Sequence, residues 1–341
     1  MTLIYFILIL GVVVFVHELG HYIFAKRAGI YVYEFAIGMG PRVFSKKFEG
    51  NETVYSLRLI PIGGFVSMAG EEVHADENIP PEKRVQNKTW MQRFLTIISG
   101  VVFNFIFAIL LLFVIGLFNG APETRAYLGD IPREFPVYEA GLREGDLITE
   151  INGERIRNWD QITLTLAMNQ ASDATFTYEN ESGTHTVTVT PIKEEDRYIY
   201  GLVATSDKHY GLIPAASFAV NKTIGLFEIM IVTLKGLFTG QLSINNLAGP
   251  VGIYTIVGDQ AEAGLFSLLY MVAFLSINIG FINLIPFPAF DGGRLLFLII
   301  EKIKGSPVKP EIENRLHYVG FILLMLLLVY VTWNDIMRIF N

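Results

Sequence analysis

Residues 3–25 form an apolar run whose only acidic, basic or imidazole side chains are His17, Glu18 and His21. A run of that length crosses the hydrocarbon core of a bilayer as a single helix. An ionisable group at membrane depth costs roughly 2.5 to 3.5 kcal/mol on insertion scales, so such residues mark a site rather than a lipid contact. Three of them within five positions make this helix the feature that everything else in the chain has to accommodate.

On a helix, His17 and His21 lie one turn apart on one face. Both imidazoles can reach one ion, and Glu18 stands beside them to take a proton from water. This His-Glu-x-x-His arrangement is the signature of a zinc hydrolase. The plainer reading is of two buried histidines bonded to their neighbours, and the remaining ligands decide between the two. The chain has no cysteine, which rules out disulfides and thiolate ligands; any third ligand must be His, Asp or Glu.

The rest of the composition agrees with a membrane setting. Of 341 residues, 52% are hydrophobic and only 17% charged, and the mean hydropathy is +0.43. The net charge of -7 comes mainly from an acidic middle segment, which gives no basis for nucleic-acid binding. The N-terminus lacks a basic region before its apolar run, and that run is too long for a cleavable signal peptide, so a retained first helix is expected. Three further stretches have spanning character: residues 94–117, residues 265–286 continuing after a break to 300, and residues 318–331. Four crossings are expected. Lys26, Arg27, Lys88 and Arg93 flank the first loop, and Lys302, Lys304, Lys309 and Arg315 crowd the last, so both loops should be cytoplasmic. The N-terminus, the middle segment and the C-terminus then face outward.

Residues 215–238 are also strongly apolar, but Asn221, Lys222, Glu228 and Lys235 favour an amphipathic helix on the membrane surface. A fifth crossing here would also invert the third helix and carry Asp291 to the opposite side from His17. In the cytoplasmic loop, residues 54–60 alternate, Pro61-Ile62-Gly63-Gly64 has turn chemistry, and Phe65-Val66-Ser67-Met68 resumes an extended pattern. This predicts a β-hairpin over 54–68 that dips toward the site and offers an edge to a substrate strand. Residues 73–88 read as a mobile polar link. Between residues 121 and 210 the composition is that of a soluble α+β domain: a short helix after Pro136, a Gly turn, a strand ending at Asn152-Gly153, a helix over 159–168, and strands over 174–178 and 185–190.

The third membrane segment reads Ser276-Ile277-Asn278-Ile279-Gly280-Phe281-Ile282-Asn283-Leu284-Ile285-Pro286-Phe287-Pro288-Ala289-Phe290-Asp291-Gly292-Gly293. Two prolines must break this helix, and the freed backbone groups need partners inside protein. Asp291 follows at the start of a new helical piece, in position to be the third ligand and leave a fourth place open. Asn278 and Asn283 are placed to hydrogen-bond a substrate backbone or a developing oxyanion. Alternatively, Asp291 caps the new helix and the asparagines bond between helices. Asn104 is expected to make a helix–helix hydrogen bond among small residues, and His74, His185, His209 and His317 to be solvated. Leu247-Ala248-Gly249-Pro250-Val251-Gly252-Ile253 reads as a tight turn of unassigned role.

Three motifs, His17-Glu18-Leu19-Gly20-His21, Pro61 to Met68 and Asn283 to Gly292, together with the run from Pro136 to Gly153, resemble the bacterial site-2 proteases, intramembrane zinc metalloproteases, of the group with a single PDZ domain. The resemblance implies a polytopic α-helical membrane protein of four transmembrane helices, with a membrane-associated β-hairpin and one extracytoplasmic PDZ-like domain. It divides the chain into residues 1–120, 121–210 (PDZ-like), 211–264 (surface helix and linker) and 265–341. It implies His17, His21 and Asp291 as ligands of Zn2+ and Glu18 as general base. Asn283 with Asn278 would hold substrate, and the hairpin at Gly63, Gly64 and Phe65 would clamp the unwound segment. Expected partners are single-span membrane proteins such as anti-sigma factors or remnant signal peptides, an upstream site-1-type protease, and the lipid of a bacterial cell membrane. The rival expectation is a metal transporter or sensor using the same ligands without hydrolysis.

Overall fold

The computed structural model describes residues 1–71, 78–168, 172–194 and 197–340. In chain order the elements are α1 (Thr2–Arg27), β1 (Val32–Lys47), β2 (Val54–Met68), α2 (Trp90–Asn119), β3 (Ala121–Pro122), α3 (Pro136–Glu139), β4 (Leu147–Ile151), β5 (Glu154–Arg155), α4 (Trp159–Met168), β6 (Ala174–Asn180), β7 (Gly183–Val189), β8 (Ile192–Glu194), β9 (Arg197–Ile199), β10 (Lys208–His209), α5 (Leu212–Thr239), α6 (Pro250–Ala263), α7 (Leu265–Leu284), α8 (Asp291–Lys304) and α9 (Pro310–Phe340). The fold is mostly helical, with some sheet. Five of these helices, α1, α2, α5, α7 and α9, are long and apolar enough to cross a membrane by length and composition. The chain divides into two compact units, Met1–Ala108 with Leu247–Asn341, and Ile109–Asn246.

In the first unit, α1 is apolar all round, yet it buries one stripe: Phe6, Ile9, Val13, His17, Gly20, His21 and Ala25. The spacing of three and four residues is that of one helical face, and both histidines lie on it. The start of the stripe packs on Val257 of α6 and on Met271 and Leu275 of α7. Its end packs with Ile30, Val32, Phe35, Val66 and Met68, which ties the sheet to α1.

The sheet corrects the expected hairpin. Residues 54–60 do not pair with 65–68. Instead β1 lies between them: its residues 34–37 partner 54–57 on one side and 64–67 on the other, while residues 42–47 partner 54–58. Residues 32–37, with Val32, Glu34, Phe35 and Ala36 buried, lie between both halves of β2, and Gly63, at φ +85, lets β2 change course. Glu34 is buried within this sheet, held by Arg42, Ser56 and, at 2.8 Å, Arg58. Burial alone would raise its carboxyl pKa, but these donors bring it down to about 2.

The link expected to be mobile is partly pinned. Residues 72–77, His74 among them, lie outside the described residues. Beyond them the Tyr31 amide donates to Lys83 O at 2.9 Å and the Val85 amide to Ala69 O at 2.8 Å.

The turn left unassigned by sequence starts α6. Pro250 is its first residue, and Asp335 of α9, buried, accepts from the Gly249 amide at 3.2 Å and the Gly252 amide at 2.8 Å. A side chain at Gly249 would collide with that carboxylate, which explains the small residue in a helix N-terminus capped from a distant helix.

In the second unit a four-stranded antiparallel sheet, ordered β5-β4-β6-β7, closes over a core that includes Leu128, Val137, Leu142, Ile148, Ile151, Ile162 and Phe176. Asn152 and Gly153 take positive φ at the predicted turn. Helix α4 is fastened to α5 by Arg157–Glu228 at 2.8 Å, by Gln161 to the same carboxylate, and by Lys222–Asp160. Of the four polar residues that set residues 215–238 apart, Lys222 and Glu228 are therefore ion-paired within this unit, and Asn221 bonds Ser217 of the same helix at 3.1 Å.

Candidate metal centre

Helix α7 ends at Leu284, two residues before Pro286, and two tight turns carry the chain through Phe287 and Phe290 into α8. Ala289 within them has φ 93, a left-handed conformation that L side chains adopt only under constraint. Its amide donates to His317 Nδ1 at 3.1 Å. His317, expected in solvent, thus braces the turn that presents Asp291, with its Nε2 buried. Glycine is needed after Asp291 because a Cβ on Gly292 or Gly293 would come within 3.0 Å of the backbone carbonyls of Leu284, Ile285 or Phe287.

Asp291 meets the α1 histidines. Its Oδ2 lies 3.1 Å from His17 Nε2 and 3.2 Å from His21 Nε2, and the two Nε2 atoms are 3.2 Å apart. Three lone-pair donors at the corners of a nearly equilateral triangle fit one cation: a tetrahedral zinc with bonds of about 2.0–2.1 Å has donor–donor edges of roughly 3.3 Å. Asp291 Oδ2 is buried with no hydrogen-bond donor of its own. A His2Asp set with one open position is the donor chemistry of a hydrolytic zinc site. Among the described residues this is the one His/Asp/Glu cluster with ligand spacing.

The opposite side of both rings faces α2. His21 Nδ1 donates to Thr96 O at 2.8 Å, and His17 Nδ1 lies 3.3 Å from the side-chain amide of Asn104, which is fully buried. Between them a Cβ on Gly100 would come within 3.0 Å of both imidazoles, and one on Gly20 within 3.0 Å of the Ser99 backbone. The small residues therefore set the approach of α1 and α2.

A cavity of about 880 Å³ opens beside the triangle. Glu18, Gly63, Gly64, Phe65 and Asn283 line it, together with His17, His21 and Asp291. Gly64 packs against Glu18: a Cβ there would stand 3.2 Å from Glu18 Cγ. Asn278 is placed elsewhere. Its Nδ2 donates to Phe274 O at 2.8 Å, the usual resort of an amide in an apolar helix, and it is not part of the cavity lining. Sequence reasoning missed Glu71 and Arg294, which line the same cavity and pair at 2.6 Å between the end of β2 and α8. The one hint was an Arg on the polar side of a strongly amphipathic α8, three residues after the ligand.

The model of peptidase family M50 matches residues 5–327. Similar proteins include the zinc metalloprotease RasP of Bacillus licheniformis, 36% identical over 99% of both chains, and that of Geobacillus kaustophilus, 35% identical over 99% of this chain and 98% of the other. The regulator of sigma-W protease RasP of Bacillus subtilis is 34% identical, again over 99% of both. Matched along nearly its full length, this chain belongs to peptidase family M50.

Proposed function

We infer that this chain is a zinc metalloprotease that hydrolyses peptide bonds in or near the transmembrane segment of single-span membrane proteins. The observation that carries the reading is the convergence of His17, His21 and Asp291, from segments far apart in sequence, beside a cavity that Glu18 also lines. The relatives' names agree with it.

His17 and His21 through Nε2, and Asp291 through Oδ2, would hold the ion. Zinc, when bound there, supplies Lewis acidity to the scissile carbonyl and shifts the pKa of water toward roughly 7. Glu18 takes the proton of the attacking water and hands it to the departing amide nitrogen, which leaves as an amine while the carbonyl carbon becomes a carboxylate. Asn283 offers its amide to the substrate backbone. Residues 64–67 of β2 pair with β1 on one side, and among the described residues no strand flanks the other, so an unwound substrate segment can add there. Gly63, Gly64 and Phe65 hold that segment against Glu18.

A four-crossing topology formed by α1, α2, α7 with α8, and α9 suits this site, with α5 lying at the membrane surface. The Glu228 and Lys222 pairs support that role for α5, since both charges are served by α4. The exposed Met39, Val43, Phe44, Leu59 and Ile60 of the β1–β2 sheet suit contact with lipid. The loops rich in Lys and Arg face the cytoplasm, in a bacterial cell membrane, and residues 121–210 form an extracytoplasmic PDZ-like domain. Anti-sigma factors, trimmed first by an upstream protease, are the substrate class this reading favours.

The test is cleavage of candidate single-span proteins by wild type and Glu18→Gln side by side. Glu18→Gln should retain zinc and lose about 10³-fold or more in rate. Wild-type rates in that variant, or metal flux through proteoliposomes without cleavage, would defeat the proposal.

A further inference from the structure

We propose that Asn104 is a positioning residue of the metal centre: its side-chain carbonyl accepts the Nδ1 proton of His17 and so keeps Nε2 free to bind the ion. This rests on the metalloprotease reading above and adds to it a residue that none of the three sequence motifs contains.

His21 sets the pattern. Its Nδ1 is 2.8 Å from the Thr96 carbonyl, which can only accept, so Nδ1 carries the proton and Nε2 a lone pair directed at the triangle. His17 needs the same tautomer for the same reason, because its Nε2 is 3.1 Å from Asp291 Oδ2 and 3.2 Å from His21 Nε2. A proton on His17 Nε2 would occupy the place that the three donors share. Nδ1 of His17 must then donate, and among the described residues the polar group at hydrogen-bonding distance from it is the Asn104 amide, at 3.3 Å.

In the structure Nδ2 of that amide faces His17 while Oδ1, buried, has no partner. Two donors cannot bond each other. A half-turn about χ2 exchanges the two atoms at no steric cost, and the orphaned carbonyl then receives the ring N–H. Thr96, Gly100 and Asn104 fall four residues apart on one face of α2, so a single stripe supplies an acceptor for His21, room for both rings, and an acceptor for His17. The Asn104 backbone is fixed in turn: its carbonyl accepts from Ser276 Oγ of α7 at 2.9 Å. Outer partners of this kind orient a ligand and raise its basicity, and their loss typically weakens metal binding about 10- to 100-fold.

The experiment measures the zinc dissociation constant of the full chain in detergent, by competition with a chromogenic chelator, for wild type, Asn104→Leu, Asn104→Asp and Ser276→Ala. Asn104→Leu keeps the volume without the acceptor and should bind zinc about 10- to 100-fold more weakly. Asn104→Asp keeps an acceptor and should bind at least as tightly as wild type. Ser276→Ala loosens the same helix contact without touching the amide and should leave affinity unchanged. Equal affinity in Asn104→Leu and wild type overturns the proposal, as does an equal loss in Asn104→Asp or in Ser276→Ala. Should Asn104→Leu fail to fold, ¹⁵N spectra of histidine-labelled, zinc-loaded wild type decide instead: a proton on Nδ1 of His17 is expected, and its absence overturns the assignment. Wild-type protein that binds no zinc defeats the metalloprotease reading itself, which separates that failure from this one.

Discussion

The two units solve opposite packing problems. In Ile109–Asn246 the sheet core is almost purely apolar, and Phe176, Ile148, Ile151 and Leu142 are fully enclosed. In the other unit the outward faces are apolar, as Phe321, Leu326 and Val329 of α9 illustrate, whereas the interior holds His17, His21, Glu34, Thr96, Ser99, Asn104, Ser276 and Asp335. Among the described residues, only Asp146 and Thr223 join that class from the second unit. Burial of hydrocarbon from water stabilises a domain at about 25 cal/mol per Å², but helices in lipid gain little that way and rely on close packing and internal hydrogen bonds. An interior packed between apolar helices can therefore carry a polar centre, provided each group has a partner; the sheet core has no such need.

The largest expected effect is at Asp291. Asp291→Ala leaves two imidazoles and should weaken zinc binding by more than about 100-fold, while thermal unfolding of the 109–246 unit stays unchanged; zinc bound as in wild type would break the claim that the first unit's interior is organised around one ion. The converse variant, Phe176→Ala, should destabilise the sheet unit by about 3–5 kcal/mol in a denaturant titration, yet leave zinc content intact. A loss of zinc there would show that the two interiors are not independent.

Glu34 tests whether polar partners stabilise the β1–β2 sheet. Its folded pKa of about 2 lies below the ordinary 4.5, so its contribution is complete above pH 4.5 and is lost as pH falls toward 2. The full shift corresponds to roughly 3 kcal/mol, reduced to about 2 because Arg42 is half in solvent. Protease protection of β1 should fall over that pH window in wild type, and a Glu34→Gln variant should show the low-pH behaviour already at neutral pH. The smallest effect is expected for Tyr22→Phe, which removes the 2.5 Å bond to Tyr55 between α1 and β2; about 1 kcal/mol or less should be lost, with zinc affinity unaltered.

Much of this was legible in the chain. The helix over 159–168, the turn at Asn152-Gly153 and the break at Pro286 depend on local chemistry, and they stand where the residues put them. The pairing of β1 with β2 was not legible, because residues 32–37 lack a period-two alternation and run into Gly38, Gly40 and Pro41, and because choosing between two strand partners is a long-range competition. His317 and Glu71 likewise look like ordinary surface residues until the fold sets them against Ala289 and Arg294.

Three ionisable groups on a membrane-length helix, and a carboxylate after a proline break, follow from the residues alone, since periodicity and proline chemistry act over a few residues. It takes the folded chain to bring His17, His21 and Asp291 within 3.1–3.2 Å of one another and to set Thr96, Gly100 and Asn104 against both rings from one side of α2. Such meetings depend on how closely helices approach, and that distance is set by which small residues oppose which, a property of pairs of segments that no single stretch encodes.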